Sequence, residues 1–268
     1  MNNDRTYGVE MEIIGNKREV IRSLRRAGIE VNDEGYTHRD TAYWKIVSDS
    51  TVRPNRYQTG MTGFELVSPP MKGLDGMLEI KVVCEALREC GTQVNRTCGL
   101  HVHHDAGDLT GKDLVWLQRM YVRCETVIDG LHPQSRREMN QYCRSVKGYQ
   151  DPQDLGHKIN KMSIEDVLTY YHRYDRYGKL NLLAYRRHGT VEFRQAAGTI
   201  DPKKILNWVV FTQAMVERVA KGGLKSRTEL TSWERVKQTL NLTTYWGGDH
   251  MEQAAGEFYN ARRQALRA

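Results

Sequence analysis

The sequence predicts an α+β fold built on a mostly antiparallel sheet. Three observations carry this. Short runs in which apolar and polar residues alternate recur between Thr6 and Arg194, the pattern of half-buried strands. Between them lie stretches with apolar residues three and four apart, the pattern of amphipathic helices. The two kinds do not alternate regularly, so a parallel β-α-β sheet is not expected.

Thr6 to Ile14 reads as the first strand, with Glu10 and Glu12 on one face and Val9, Met11 and Ile13 on the other. Two carboxylates two residues apart repel each other, so solvent or a divalent cation must offset them. Lys17 to Ala27 is a helix with Val20, Ile21 and Leu24 inward, closed by Gly28. Ile29 to Val31 and Tyr43 to Val47 read as strands, Ser48-Asp49-Ser50 as a turn and 51–63 as a loop. Phe64 to Val67 is a strand with Glu65 on its polar side, stopped by Ser68-Pro69-Pro70. Leu74 to Cys90 is a helix whose apolar stripe is read as Leu78, Val82, Ala86 and Cys90. In Thr97 to Asp105, His101 and His103 share one strand face while Leu100 and Val102 pack behind. That pairing suits a metal or a phosphate.

Thr110 caps a helix to Asp129 striped by Leu114, Leu117, Tyr121 and Ile128. Segment 132–160 is polar, broken by Pro133 and Pro152, and reads as an excursion or cover. Ser163 and Asp166 form a capping box for a short helix. His172 to Lys179, HRYDRYGK, mixes basic and aromatic residues and could bind a nucleic-acid strand, a nucleotide or only solvent. Leu182 to Tyr185 and Thr190 to Arg194 read as two runs joined by a tight link at His188-Gly189. In the second run Val191 and Phe193 face one way, and Thr190, Glu192 and Arg194 the other. That polar side is a solvated surface or the lining of a charged cavity. Asp201 and Pro202 start a long helix whose inward face is Ile205, Trp208, Val209, Thr212, Met215, Val216 and Val219. Two more helices are expected, over 229–240 and 251–267.

Composition narrows the class. With 268 residues, 39% hydrophobic and 27% charged, the chain can bury a core of its own. No apolar run approaches the roughly 20 residues of a membrane span, and the start shows no secretory pattern, so a cytoplasmic protein with no membrane partner is expected. Five cysteines without a C-x-x-C pair read as buried free thiols. A net charge of +7 and a pI near 9.1 fit nucleic acid, nucleotide phosphates or an acidic substrate as partner.

Four strand faces thus offer Glu10 and Glu12, Glu65, His101 and His103, and Glu192 and Arg194. If they line one cavity, its carboxylates call for more than one divalent cation, Mg²⁺ or Mn²⁺ by donor type. The basic residues Arg186, Arg187 and Arg194 would then face phosphate. Crowding of like charges is expected to raise the pKa of at least one glutamate. Two other readings use the same residues. One is a metal-dependent hydrolase, in which the Glu/His cluster activates water. The other is a basic nucleic-acid-binding module.

The ordered set G-V-E-M-E, F-E-L-V-S-P-P, C-G-L-H-V-H, D-R-Y-x-x-L-N and G-T-V-E-F-R-Q-A-A-G-T-I-D, spread over residues 7–201, resembles the amidoligase family. That family belongs to the glutamine synthetase and glutamate–cysteine ligase superfamily of carboxylate–amine ligases. The resemblance implies a single catalytic domain over 1–268, with an insertion or cover at 132–160 and a helical C-terminal part at 202–268. It implies a curved, mostly antiparallel sheet with helices packed on one side, like the glutamine synthetase catalytic domain. It implies ATP and two or more Mg²⁺ as cofactors, with Mn²⁺ possible, and amide formation through an acyl phosphate. Glu10, Glu12, Glu65, His101 and Glu192 then match metal ligands. His103 matches a residue that meets phosphate or substrate, and Arg194 one that neutralises the transferring phosphate. Arg186, Arg187 and Arg194 are the expected nucleotide contacts. The expected partners are a carboxylate and an amine substrate, a peptide or protein among the candidates, and not nucleic acid. Trp44 to Ser50 is similar to the family's strand and following turn but lacks its glycine, so no role is carried onto Asp49.

Overall fold

A computed structural model describes residues 2–37, 39–137, 140–148, 160–172, 176–222, 230–242 and 251–266. Among the described residues seven strands form one open sheet in the order β2-β3-β4-β1-β5-β7-β6. They are β1 (Tyr7–Gly15), β2 (Val31–Gly35), β3 (Trp44–Val47), β4 (Thr62–Val67), β5 (Gly99–Asp105), β6 (Leu180–Asn181) and β7 (Thr190–Ala197). The pairs β1·β4, β3·β4 and β6·β7 are antiparallel, and β2·β3 is parallel. The α-helices among the described residues are α1 (Lys17–Arg26), α2 (Gly73–Glu89), α3 (Gly111–Asp129), α4 (Ile164–His172), α5 (Tyr185–His188), α6 (Pro202–Ala220), α7 (Trp233–Thr239) and α8 (Met251–Ala265). The expected α+β class is thereby met. Among the described residues no helix is long and apolar enough to cross a membrane.

The chain divides into two compact units. The first holds Asn3–His103 and Ala196–Leu206. Its core is the inward face of β1 (Val9, Met11, Ile13), β3 (Trp44, Ile46) and β4 (Phe64, Leu66), every one buried. Val20 and Leu24 of α1 are buried as expected. Helix α2 corrects the sequence reading. Leu78 and Val82 face solvent, and Met77, Ile80, Cys84 and Leu87 are buried, together with Ala86 of the expected stripe. The helix carries two apolar rows, and spacing alone cannot choose between them. Gly63 and Gly198 permit close backbone approach. A Cβ at Gly63 would lie 1.9 Å from the Val52 carbonyl oxygen, and one at Gly198 2.4 Å from Cys98 Cβ.

The second unit holds His104–Gln195 and Asn207–Ala268 with the N-terminal dipeptide. Thr110 and Asp113 complete a reciprocal cap on α3, and Leu114, Leu117, Tyr121 and Ile128 are all buried. Ser163 and Asp166 cap α4 in the same way. The aromatic rings of Trp208, Phe211, Trp233 and Tyr259 stack on one another and give the C-terminal helices a core. The tight strand–strand link expected at 182–190 is different. The partner of β7 is Leu180–Asn181, paired as Leu180 with Phe193 and Asn181 with Glu192. The Asn181 side chain accepts the Leu183 N–H and turns the apolar run into a 3-10 turn and then α5, so local capping overrides the strand-like composition. Gly189, at φ 66°, closes α5 where a left-handed residue was expected.

Segment 132–160 was expected to be cover. Its described part buries Arg136, Cys143 and Val146, while 138–139 and 149–159 lie outside the described residues. All five thiols are free, as expected. Burial pushes Cys84 up to about 12, so it stays a protonated, unreactive thiol.

Candidate functional site

The first unit gathers five of the residues expected at the site, Glu10, Glu12, Glu65, His101 and His103. Register does much of this. Glu12 stands directly opposite Glu65 across β1·β4, which puts both carboxylates on one sheet face two residues from Glu10. On β5, His101 and His103 take that face, while His104 points the other way and is fully buried.

The distances tie these groups into a cluster. His101 Nδ1 lies 3.0 Å from Glu10 Oε2, and its Nε2 lies 3.4 Å from Glu12 Oε1. His103 Nε2 lies 3.4 Å from Glu10 Oε1. The Gly99 N–H donates to Glu12 Oε2 and fixes that carboxylate from the backbone. Within this unit two sets of ligand atoms, each within 4.8 Å of one another, come out of this: Glu10, Glu65 and His101, and Glu12, Asp49 and Glu65. Glu65 is common to both. Asp49 was given no role from sequence. Its only signal was the Ser-Asp-Ser turn after β3, and the missing glycine of the family pattern hid it.

At Glu10 the shift runs opposite to a rise by crowding. Burial pushes the Glu10 carboxyl up, but hydrogen bonds from His101 and His103, with their charge, outweigh burial and hold it well below the usual carboxylate range. The two imidazoles that share the face offset the repulsion of its carboxylates at Glu10. Four carboxylates against two imidazoles still leave the cluster anionic. Its donors are mostly oxygen, with one imidazole in one set and none in the other. That composition could hold a hard divalent cation.

The second unit holds Arg186, Arg187, Glu192 and Arg194. Glu192 and Arg194 project from the side of β7 opposite Val191 and Phe193, as expected, and the solvated reading fails. Glu192 is 4% exposed and pairs with the Arg194 guanidinium, whose side chain is only 13% exposed. Asn181 Nδ2 donates to the other Glu192 oxygen at 2.7 Å, and Arg194 Nε donates to the Tyr142 carbonyl at 3.4 Å. Arg186 and Arg187 are exposed, and Arg186 is engaged by Glu165 of α4 at 2.5 Å.

Behind β7 lies a network that the sequence did not reveal. Lys179 is fully buried and donates to Glu125 at 2.7 Å and to Asp129 at 2.6 Å. Asp129 also accepts from Gln195, and Gln195 accepts from Tyr121. The Lys179 carbonyl accepts the Arg194 N–H at 2.9 Å, and Arg136 donates to the Arg194 and Gln195 carbonyls. Arg194 is thus held at both ends of its backbone unit. Lys179 had been counted with the basic, aromatic stretch suited to nucleic acid, and a buried ion pair removes it from that role. Arg173 of the same stretch lies outside the described residues.

Residues 3–216 match the sequence model of a family described as putative amidoligase enzyme. No curated protein matches the chain.

Proposed function

The chain belongs to the amidoligase family, and from that premise we propose that it is an ATP- and Mg²⁺-dependent ligase that joins a carboxylate to an amine. The observation that carries this reading is the pair of overlapping oxygen-rich ligand sets sharing Glu65. A carboxylate shared between two sets suits two adjacent cations, the arrangement that phosphoryl transfer uses to clamp attacking and leaving oxygens. Bound Mg²⁺ would supply charge neutralisation for the phosphoryl group.

The remaining work falls to the chain's own side chains. Glu10, Glu12, Asp49, Glu65 and His101 would hold the cations, and the Gly99 N–H keeps Glu12 aimed. His103 stands next to Glu10, where it can donate to a phosphate or substrate oxygen. Glu192 as a further ligand and Arg194 as the cation for the transferring phosphoryl group rest on the family resemblance, supported by the buried and hydrogen-bonded state of both. Arg186 and Arg187 would meet nucleotide phosphates, Arg186 after giving up its exposed pair with Glu165. In the reaction, the substrate carboxylate attacks the γ-phosphorus of ATP, forming a carboxyl–phosphate bond and releasing ADP. The amine then attacks the acyl carbon, phosphate leaves, and the amine loses a proton. No protein nucleophile is needed, which suits a chain in which burial pushes the thiols of Cys84, Cys124 and Cys143 up.

The test is ADP release from ATP with pools of amines and carboxylates. Amine-dependent ADP release in Mg²⁺ that disappears in Glu65→Gln supports the reading. Hydrolysis of a substrate without nucleotide would move the same Glu/His cluster to the metal-dependent hydrolase alternative.

A further inference from the structure

Lys45 is a cation on the polar face of the first unit's sheet that no motif singles out. The register fixes its place. Lys45 pairs with Val67 across β3·β4, and Val67 pairs with Glu10 across β4·β1. The next row is Val47, Glu65 and Glu12. Residues directly opposite in a ladder share a face, so Lys45 stands on the face that carries Glu10, Glu12 and Glu65, two strands from Glu10. At about 4.8 Å per strand that is roughly 10 Å between backbones, within reach of a ligand held over the carboxylates.

Its environment is unusual for a lysine. The residue is 4% exposed. Its ammonium donates to the Arg39 carbonyl. Among the described residues no carboxylate lies within 4.0 Å of it. An ammonium has three donors, and burying one without a counter-charge is costly. Lys179 and Lys237, also buried, show the usual solution, with Glu125 and Asp129 at the first ammonium and Glu234 at the second. Lys45 has a neutral carbonyl instead, beside a face that would bind metals and an anionic substrate.

We propose that Lys45 is an anion-binding residue of this site, and that its counter-charge is an anionic oxygen of the ligand, carboxylate or phosphoryl. The inference rests on the ligase reading for what the ligand is, and on the buried, unneutralised ammonium for its sign. A lysine here would draw the incoming oxygen away from the repelling glutamates and orient it, as a point charge with rotatable donors does.

The experiment uses the full chain as wild type, Lys45→Met and Lys45→Arg. Melting temperature is followed without ligand and in titrations with inorganic phosphate, glutamate and Mg·ATP, each with and without Mg²⁺. Lys45→Met matches the lysine's length without its charge. Its ligand-free melting temperature should equal or exceed that of wild type, because the buried charge is gone. Its apparent affinity for one anion class should fall by roughly tenfold or more, the scale of one charged hydrogen bond. Lys45→Arg should keep most of that affinity. Loss confined to phosphate and Mg·ATP assigns the phosphoryl group, and loss confined to glutamate assigns the carboxylate. If phosphate and glutamate stabilise wild type and Lys45→Met alike, or stabilise neither, the proposal is overturned. Failure of the ligase reading looks different: wild type would ignore Mg·ATP while a simple anion still discriminated Lys45→Met.

Discussion

At the scale of single residues, the two ligand sets within the first unit meet at Glu65, which belongs to both. Glu65→Gln should therefore abolish binding of two Mn²⁺ per chain, whereas Asp49→Asn should weaken one and spare the other, as counted by calorimetry or electron paramagnetic resonance. Equal loss in the two variants would contradict the shared-ligand geometry. The pair on β7 calls for a different expectation. Sequence reasoning alone would let Glu192→Gln leave stability untouched. The structure pairs Glu192 with a half-buried guanidinium, and removing one partner leaves the other charge uncompensated. We expect Glu192→Gln to cost about 3 kcal/mol and Arg194→Lys to lower turnover by roughly a hundredfold, with denaturant melts run beside ADP release. Period-2 spacing was enough to place Glu10, Glu12, His101 and His103 on their faces. It could not show that the imidazoles bracket Glu10, nor that Asp49 joins them, since both depend on which strands become neighbours. Lys45 and Lys179 were illegible for the same reason, as burial of a lysine is decided by its surroundings.

Among the elements, those with two independent local signals were read well. Helix α3 had a cap and a single apolar stripe, and α6 had Asp201, Pro202 and one continuous inward row. Helix α2 had two rows and a cap without a side-chain hydrogen bond, and its inward face was misread. The stretch after β6 is apolar and β-like in composition, yet one Asn181 hydrogen bond starts a turn there. Close approach of β5 and the segment after β7 rests on Gly198, whose N–H donates to the Cys98 carbonyl at 2.8 Å. Gly198→Ala should push Cys98 away and destabilise the fold by about 1–3 kcal/mol, the range for overpacking, while a control such as Gly148→Ala, with open space around it, should not. A chemical-denaturation midpoint for each variant decides this.

At the scale of the whole molecule, stability should respond to pH through His132. Burial first, then the charges of Arg262, Arg136, Lys179 and Arg137, hold its imidazole well below the ordinary value of 6.5. The folded chain keeps it neutral while the unfolded chain protonates it, so its contribution is present above 6.5 and is lost as pH falls below that, by up to about 1.4 kcal/mol per pH unit. His132→Phe should flatten the decline between pH 6.5 and 5, and an unchanged slope would contradict the assignment. The central claim is that the Glu/His face binds divalent cations together with nucleotide. It is tested most directly by the melting temperature of wild type and Glu65→Gln in Mg²⁺ alone, in ATP with chelator, and in Mg·ATP. A ligand at a hundred times its dissociation constant stabilises by about 2.7 kcal/mol. The account predicts that Mg·ATP raises the melting temperature of wild type by that order and by more than Mg²⁺ alone or ATP with chelator, and that the rise is lost in Glu65→Gln; no rise with Mg·ATP, or the same rise in both proteins, would contradict it.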